Sequence, residues 1–227
     1  MLGRRDIREE RRDVKGDGMR RRRQGSEEAV WAVWERMVEV YTPYVLVRCA
    51  RYTNGRTQAR QIGTYSLIVT CLTARAVGRA APVGRLVESM MAMVGPDVLA
   101  GARGEDWRKG PDGPLFARPR MQYMAIALNA MERRGREVLV LHHIGGLTPP
   151  DLAGLLEQPL DAVLARIGRA QRHLAGWLGA RDVRAAMAEF AAGLDTAWMQ
   201  AVAGGALGYL AWHARHARPC PAWPDWN

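Results

Sequence analysis

Apolar residues return every three or four positions through most of this chain, which is the period of an amphipathic helix. Val30, Trp34, Met37 and Tyr41 form the first such stripe, after a start at Ser26 with Glu27 and Glu28 behind it. Thr42-Pro43 predicts a fresh start, as cap and first-turn residue of a second helix reaching Tyr52, and Thr53-Asn54-Gly55 predicts a turn. A longer helix is expected over 57–79, with Ala59, Ile62, Ser66, Val69, Leu72 and Ala76 in phase and Arg60, Gln61, Thr64 and Tyr65 on its other face. Pro82 opens another, carrying Val83, Leu86, Val87, Met90 and Val94 and ending at Gly95-Pro96. The stripe of Met90, Met91 and Met93 there is core filler.

The pattern sharpens after Pro119, which starts a helix bearing Met121, Met124, Leu128 and Met131. Val138, Leu139, Leu141 and Ile144 mark a second helix, stopped by Gly145-Gly146. Thr148 is placed to cap a third, with Pro149 at its first position and Asp151 where a capping-box acid sits. Glu157-Gln158-Pro159 turns the chain into a fourth, expected over 160–178, with Leu160, Val163, Leu164, Ile167, Leu174 and Leu178 inward. Beyond it, Val183, Met187, Phe190, Leu194 and Trp198 make a heptad-like stripe, continued from Ala201 to Trp212 through Gly204, Gly205 and Gly208. One or two helices packed on the bundle satisfy that stripe. A partner surface with Trp198, Tyr209 and Trp212 as interface aromatics is the alternative.

The fold expected is therefore all-α, in two small helical domains. Residues 1–25 read as a disordered basic arm and 26–94 as a first helical domain. Residues 95–118, rich in Gly, Pro and charge, read as a linker. A helical domain at 119–178, further helices at 179–217 and an irregular tail at 218–227 complete the order.

Charge narrows the function. The 227 residues carry a formal net charge of +10, and the excess is arginine, with Lys15 and Lys109 the only lysines. A polyanion, nucleic acid before an acidic membrane, is the partner this implies. A GC-rich genome would also enrich arginine. Three cysteines, Cys49, Cys71 and Cys220, have no paired spacing, which fits a reducing cytoplasm. Residues 1–25 are charged where a secretory leader is apolar, and 197–212 is short and glycine-rich for a membrane span. The expectation is a cytoplasmic protein without a span.

The candidate chemistry lies in residues 148–178. Two short helices joined by a tight turn, the second offering Arg166, Arg169 and Arg172 with Ala162 and Ala165 beside them, have the geometry of a helix-turn-helix. Such arginines reach phosphates or a guanine edge, the alanines let the backbone approach the groove, and the Thr148 end faces a phosphate. A plain helical hairpin with a solvated arginine face is the competing reading. No catalytic residues are assigned, because no Ser-His-Asp set, carboxylate pair or Gly-rich phosphate loop has workable spacing. His213, His216 and Cys220 lack a fourth ligand and have Arg215 and Arg218 beside them, so neither metal nor cofactor is expected.

The stretch from Arg136 resembles region 4 of bacterial sigma factors of the extracytoplasmic-function type, whose members read REVLxLxxxxGLSYxEIAxxLGxSxGTVxSRLxRAxxxL. Arg136-Glu137-Val138-Leu139, Gly146-Leu147-Thr148, Leu152-Ala153, Leu156, Val163, Arg166, Arg169-Ala170 and Leu174 fall in register without a gap. Glu157 replaces the turn glycine, Asp161-Ala162 the Gly-Thr pair, and Leu164 a frequent Lys or Arg. Ala59-Arg60-Gln61-Ile62 resembles the front of sigma region 2, where the family has Ala-Glu-Asp-(Leu/Ala)-Val-Gln on the helix that docks on polymerase. The family's acidic pair and glutamine correspond to Arg60, Gln61 and Thr64, with Tyr65 beside them. No Trp or Arg cluster of the promoter-melting kind occurs between Ala80 and Ala100.

The resemblance implies an atypical sigma factor. Core RNA polymerase would be held by the N-terminal helices, promoter DNA by the helix-turn-helix, and an anti-sigma protein could sit at the C-terminal helices. Two other readings stay open: a helix-turn-helix regulator that does not initiate transcription, and a protein-binding adaptor acting through the 183–212 stripe.

Overall fold

The computed structural model describes residues 6–53, 55–77, 83–101, 113–179 and 182–216. The fold is all-α. Among the described residues the helices run α1 (Asp6–Cys49), α2 (Arg56–Val77), α3 (Val83–Gly101), α4 (Pro119–Ala130), α5 (Arg133–His143), α6 (Pro149–Leu156), α7 (Leu160–Leu178), α8 (Val183–Ala192) and α9 (Thr196–His216). None of these is long and apolar enough to cross a membrane. The chain divides into two compact units, Met1–Met37 and Val38–Asn227. Within the first, the Trp31 and Trp34 rings meet edge to face at 6.3 Å.

Several helices are longer than their punctuation suggests. The backbone is helical from Asp6, where the sequence reading has an arm through residue 25; arginine, a good helix former, recurs through that stretch. Residues 1–5 and the 218–227 tail, with Cys220, lie outside the described residues. Thr42-Pro43 does not restart a helix either, since Pro43 sits inside α1. The Thr42 hydroxyl donates to Val38 O at 2.6 Å, and the buried side chains from Tyr41 to Cys49 hold the helix together through the missing donor. Likewise α3 passes through Pro96 to Gly101 instead of ending at Gly95-Pro96. Gly95 serves packing there: a Cβ on it would stand 2.8 Å from Tyr52 Cδ1.

In the second unit α2 packs on α3 and α9, while α7 meets α4, α5, α6 and α8. Gly63 is where α1, α2 and α9 converge, because an added Cβ would lie 3.0 Å from Val45 Cγ1 and 3.3 Å from Val202 Cγ1. Cys49 and Cys71 are both buried and outside any disulfide, the Cys49 thiol donating to Ala59 O at 3.3 Å. Just before α4, Leu115 and Phe116 are buried, and Phe116 meets the Phe190 ring at 5.8 Å. The stripe of Val183, Met187, Phe190, Leu194 and Trp198 is buried throughout, but on two helices. Gly193 caps α8, and Asp195 then accepts from Trp198 N at 2.8 Å to start α9.

Candidate nucleic-acid interface

The α6–α7 pair is built by local chemistry. Thr148 and Asp151 close a reciprocal capping box, with Asp151 N donating to Thr148 Oγ1 at 3.3 Å and Thr148 N to Asp151 Oδ2 at 3.1 Å. Upstream, His142 Nδ1 donates to Leu147 O at 2.7 Å, and Gly146 turns the chain at φ +69°. Between the helices Glu157 takes the left-handed conformation, φ 51° and ψ 48°. The family pattern has glycine at that point, where an L side chain is strained by roughly 1 kcal/mol. Pro159 then caps α7, and Gly179 ends it at φ 59°.

Val163, Ile167, Ala170 and Leu174 are the buried stripe of α7. α5 lies against it at Gly135, where an added Cβ would sit in van der Waals contact, 3.4 Å, with the Ala170 Cβ. Gln171 reaches His143 on α5 at 3.2 Å, and Tyr123 OH on α4 donates to Trp177 O at 3.0 Å. The helix thus packs on α4, α5, α6 and α8 with one face left open. On that face Ala165, Arg169 and Arg172 are exposed, while Ala162 and Arg166 are half-buried. Thr148 is exposed at the amino end of α6.

Two residues read as inward are not. Leu160 is 41% and Leu164 47% exposed, and with exposed Asp161 they occupy the amino-terminal end of the open face. At 3.6 residues per turn Leu164 lies about 100° round from Val163, outside the stripe that Ile167 and Leu174 continue. That angle was the available signal, and apolar character masked it.

On α2, Arg60 is exposed, Gln61 and Tyr65 are half-buried, and Thr64 is buried. Its cover is α9, since a Cβ added at Gly205 would stand 3.4 Å from Thr64 Cγ2. The four residues share a neighbourhood, with Thr64 beneath α9.

Behind the open face lies a buried polar cluster that the periodicity did not announce. Arg136 is 3% exposed and donates from one terminal nitrogen to Met131 O at 2.9 Å, Asn129 O at 3.2 Å and Leu128 O at 3.4 Å, carbonyls clustered where α4 ends. Its other terminal nitrogen donates to Glu88 Oε1 on α3, as does Tyr44 OH on α1. Arg48 joins the same carboxylate at 3.4 Å and reaches Asn129, whose amide donates to Val47 O at 2.7 Å near the end of α1. Burial alone would raise the Glu88 pKa, but the hydrogen bonds from Tyr44 and Arg136, with the charges of Arg136 and Arg48, hold it below the usual carboxylate value.

Glu137, next in the chain, goes the other way. Burial pushes its pKa up against the hydrogen bond from Tyr41, at 3.0 Å, and the charges of Arg133 and Arg166. A raised carboxyl pKa means that the folded state holds its proton more tightly. The stabilisation is complete below the unfolded-state pKa and is lost as pH rises through the folded-state value. Glu88 contributes with the opposite sign, its share being lost as pH falls through its lowered pKa. Glu137→Gln should therefore gain stability relative to the parent as pH rises from 4 to 8. Urea midpoints across that range check this, and parallel curves would refute it.

Among the described residues no group of three His, Cys, Asp or Glu side chains is placed to hold a metal ion. His213 and His216 lie on α9, with His216 stacked on Trp212 at 4.7 Å.

No protein-family model and no solved structure matches the chain. A curated protein does: the RNA polymerase sigma factor CnrH of Cupriavidus metallidurans is 37% identical over 82 residues, 36% of this chain. The chain spans 42% of that protein's length. Over this stretch, on an all-helical scaffold, the chain is related to a sigma factor.

Proposed function

We propose that the protein directs core RNA polymerase to promoters from the cytoplasm. In this reading α7 enters the major groove, α6 sets its amino end against a phosphate, and the α2 face around Arg60, Gln61, Thr64 and Tyr65 meets the polymerase. Its role is recruitment rather than bond-making chemistry. The observation that carries this is the open face of α7, a helix packed on α4, α5, α6 and α8 behind a capped α6, with Arg169 and Arg172 exposed along it. The partial similarity to a sigma factor supports it. Arg169 and Arg172 serve phosphates, while Arg166, half-buried and within electrostatic reach of Glu137, steadies the base of the helix as well as lining the groove.

A second reading, a regulator that binds DNA without initiating, is favoured by the burial of Thr64 beneath α9. Run-off transcription across a genomic fragment library, with core polymerase and with or without the protein, separates the two. Protein-dependent transcripts sharing an upstream motif are expected. Arg169→Ala with Arg172→Ala should reduce them about tenfold or more, as loss of two phosphate contacts weakens every site alike. Salt-sensitive duplex binding with no transcripts would select the regulator.

A further inference from the structure

We infer that Leu160 and Leu164 are specificity residues, and that α7 reads thymine through its C5-methyl group where a typical helix of this kind forks an arginine onto guanine. The inference rests on the reading of α6–α7 as a DNA-binding unit and states which base that unit recognises.

The open face of α7 is chemically divided. Its carboxyl-terminal part carries exposed Arg169 and Arg172. Its amino-terminal two turns carry Leu160 and Leu164, 41% and 47% exposed, with Asp161 and Ala165 exposed beside them and no cation among the four. In a helix-turn-helix the amino-terminal residues of the second helix meet base edges, and the flanking cations meet the backbone. Asp161 within this end, and Glu157 exposed just before it, keep phosphates away from it. What remains is a small apolar surface one turn long, with the exposed arginines towards the other end of the helix. In the major groove the apolar feature of a base pair is the thymine methyl, and aliphatic side chains pack on it. With Arg169 and Arg172 exposed further along the same helix, the reading of α6–α7 as a DNA-binding unit commits this end to a base edge.

The test begins with selection of duplexes from a random library by the full-length chain. In the enriched site each thymine is then replaced by uracil, which removes the methyl group and leaves the pairing intact. Binding by the parent protein should weaken about fourfold at one or two positions, the factor expected for losing the burial of one methyl group. Leu164→Ala, at an exposed position, should bind the thymine and uracil duplexes alike at one of them. Leu164→Arg should move the preference there from thymine to guanine.

A selected site at which no uracil matters, or equal sensitivity in parent and Leu164→Ala, would overturn the inference while leaving DNA binding intact. Failure of the parent to enrich any duplex, with no salt-sensitive binding, would overturn it together with the DNA-binding reading, and is told apart by that missing binding.

Discussion

Arg136→Met is expected to destabilise the fold by about 3–5 kcal/mol, the range for breaking a buried ion pair by removing one partner. The guanidinium is 3% exposed and serves two structures at once. It closes the end of α4 through three carbonyls, and it supplies Glu88 with a charged donor from α5. Methionine fills much the same space, so the loss isolates the polar work from the packing. The carbonyls of Leu128, Asn129 and Met131 would stay buried without that donor, and Glu88 would keep only Arg48 and Tyr44. Arg136→Lys should recover only part of the loss, because an ammonium cannot reach the α4 carbonyls and the Glu88 carboxylate together. Adding Glu88→Gln to Arg136→Met should cost less than the two single changes summed, since each already removes the other's partner. Urea unfolding of the four variants measures this. A loss below about 1 kcal/mol for Arg136→Met would mean that water reaches the site and replaces the guanidinium.

That residue also marks how far the sequence could be read. Local chemistry was legible: the Thr148–Asp151 box, the Pro119 start and the glycine stop after α5 involve partners a few residues apart. The buried stripe of α7 was legible in part, through Val163, Ile167 and Leu174. Arg136 and Glu137 were visible only as matches to a family pattern, because nothing in a charged pair announces that it will be buried. Their partners, Glu88 and Tyr41, lie 48 and 96 residues away. Proline was misleading for the same reason. Pro43 and Pro96 read as boundaries, yet tertiary packing around Tyr44 and Tyr52 carries both helices past them. Leu164 failed in the other direction, its apolar character suggesting a core that the helix angle does not reach. The seat of α9 on α2 joins segments some 140 residues apart, beyond any periodicity.

That seat is where the second large effect is expected. Trp198→Ala should weaken the attachment of α9 by about 3–5 kcal/mol, the usual range for truncating a buried aromatic. Trp198 is 6% exposed and its Nε1 donates to Arg56 O at 3.3 Å. Its backbone amide is held by Asp195, which is itself ion-paired to Arg56. Little in α9 makes up for the loss. Gly204 and Gly208 face open space, so they offer no close approach in return for the roughly 1 kcal/mol each costs a helix interior. The helix therefore depends on Trp198, Val202, Ala206, Tyr209 and Leu210 being seated. Amide exchange should accelerate from Met199 to Trp212 in the variant while α5 and α7 keep their protection, because a weakly formed helix opens before the core does. Release would uncover Thr64, so a variant that binds core polymerase more tightly than its parent would tie this packing to the proposed function. Equal acceleration in α5, α7 and α9 would show instead that α9 opens only when the whole unit unfolds.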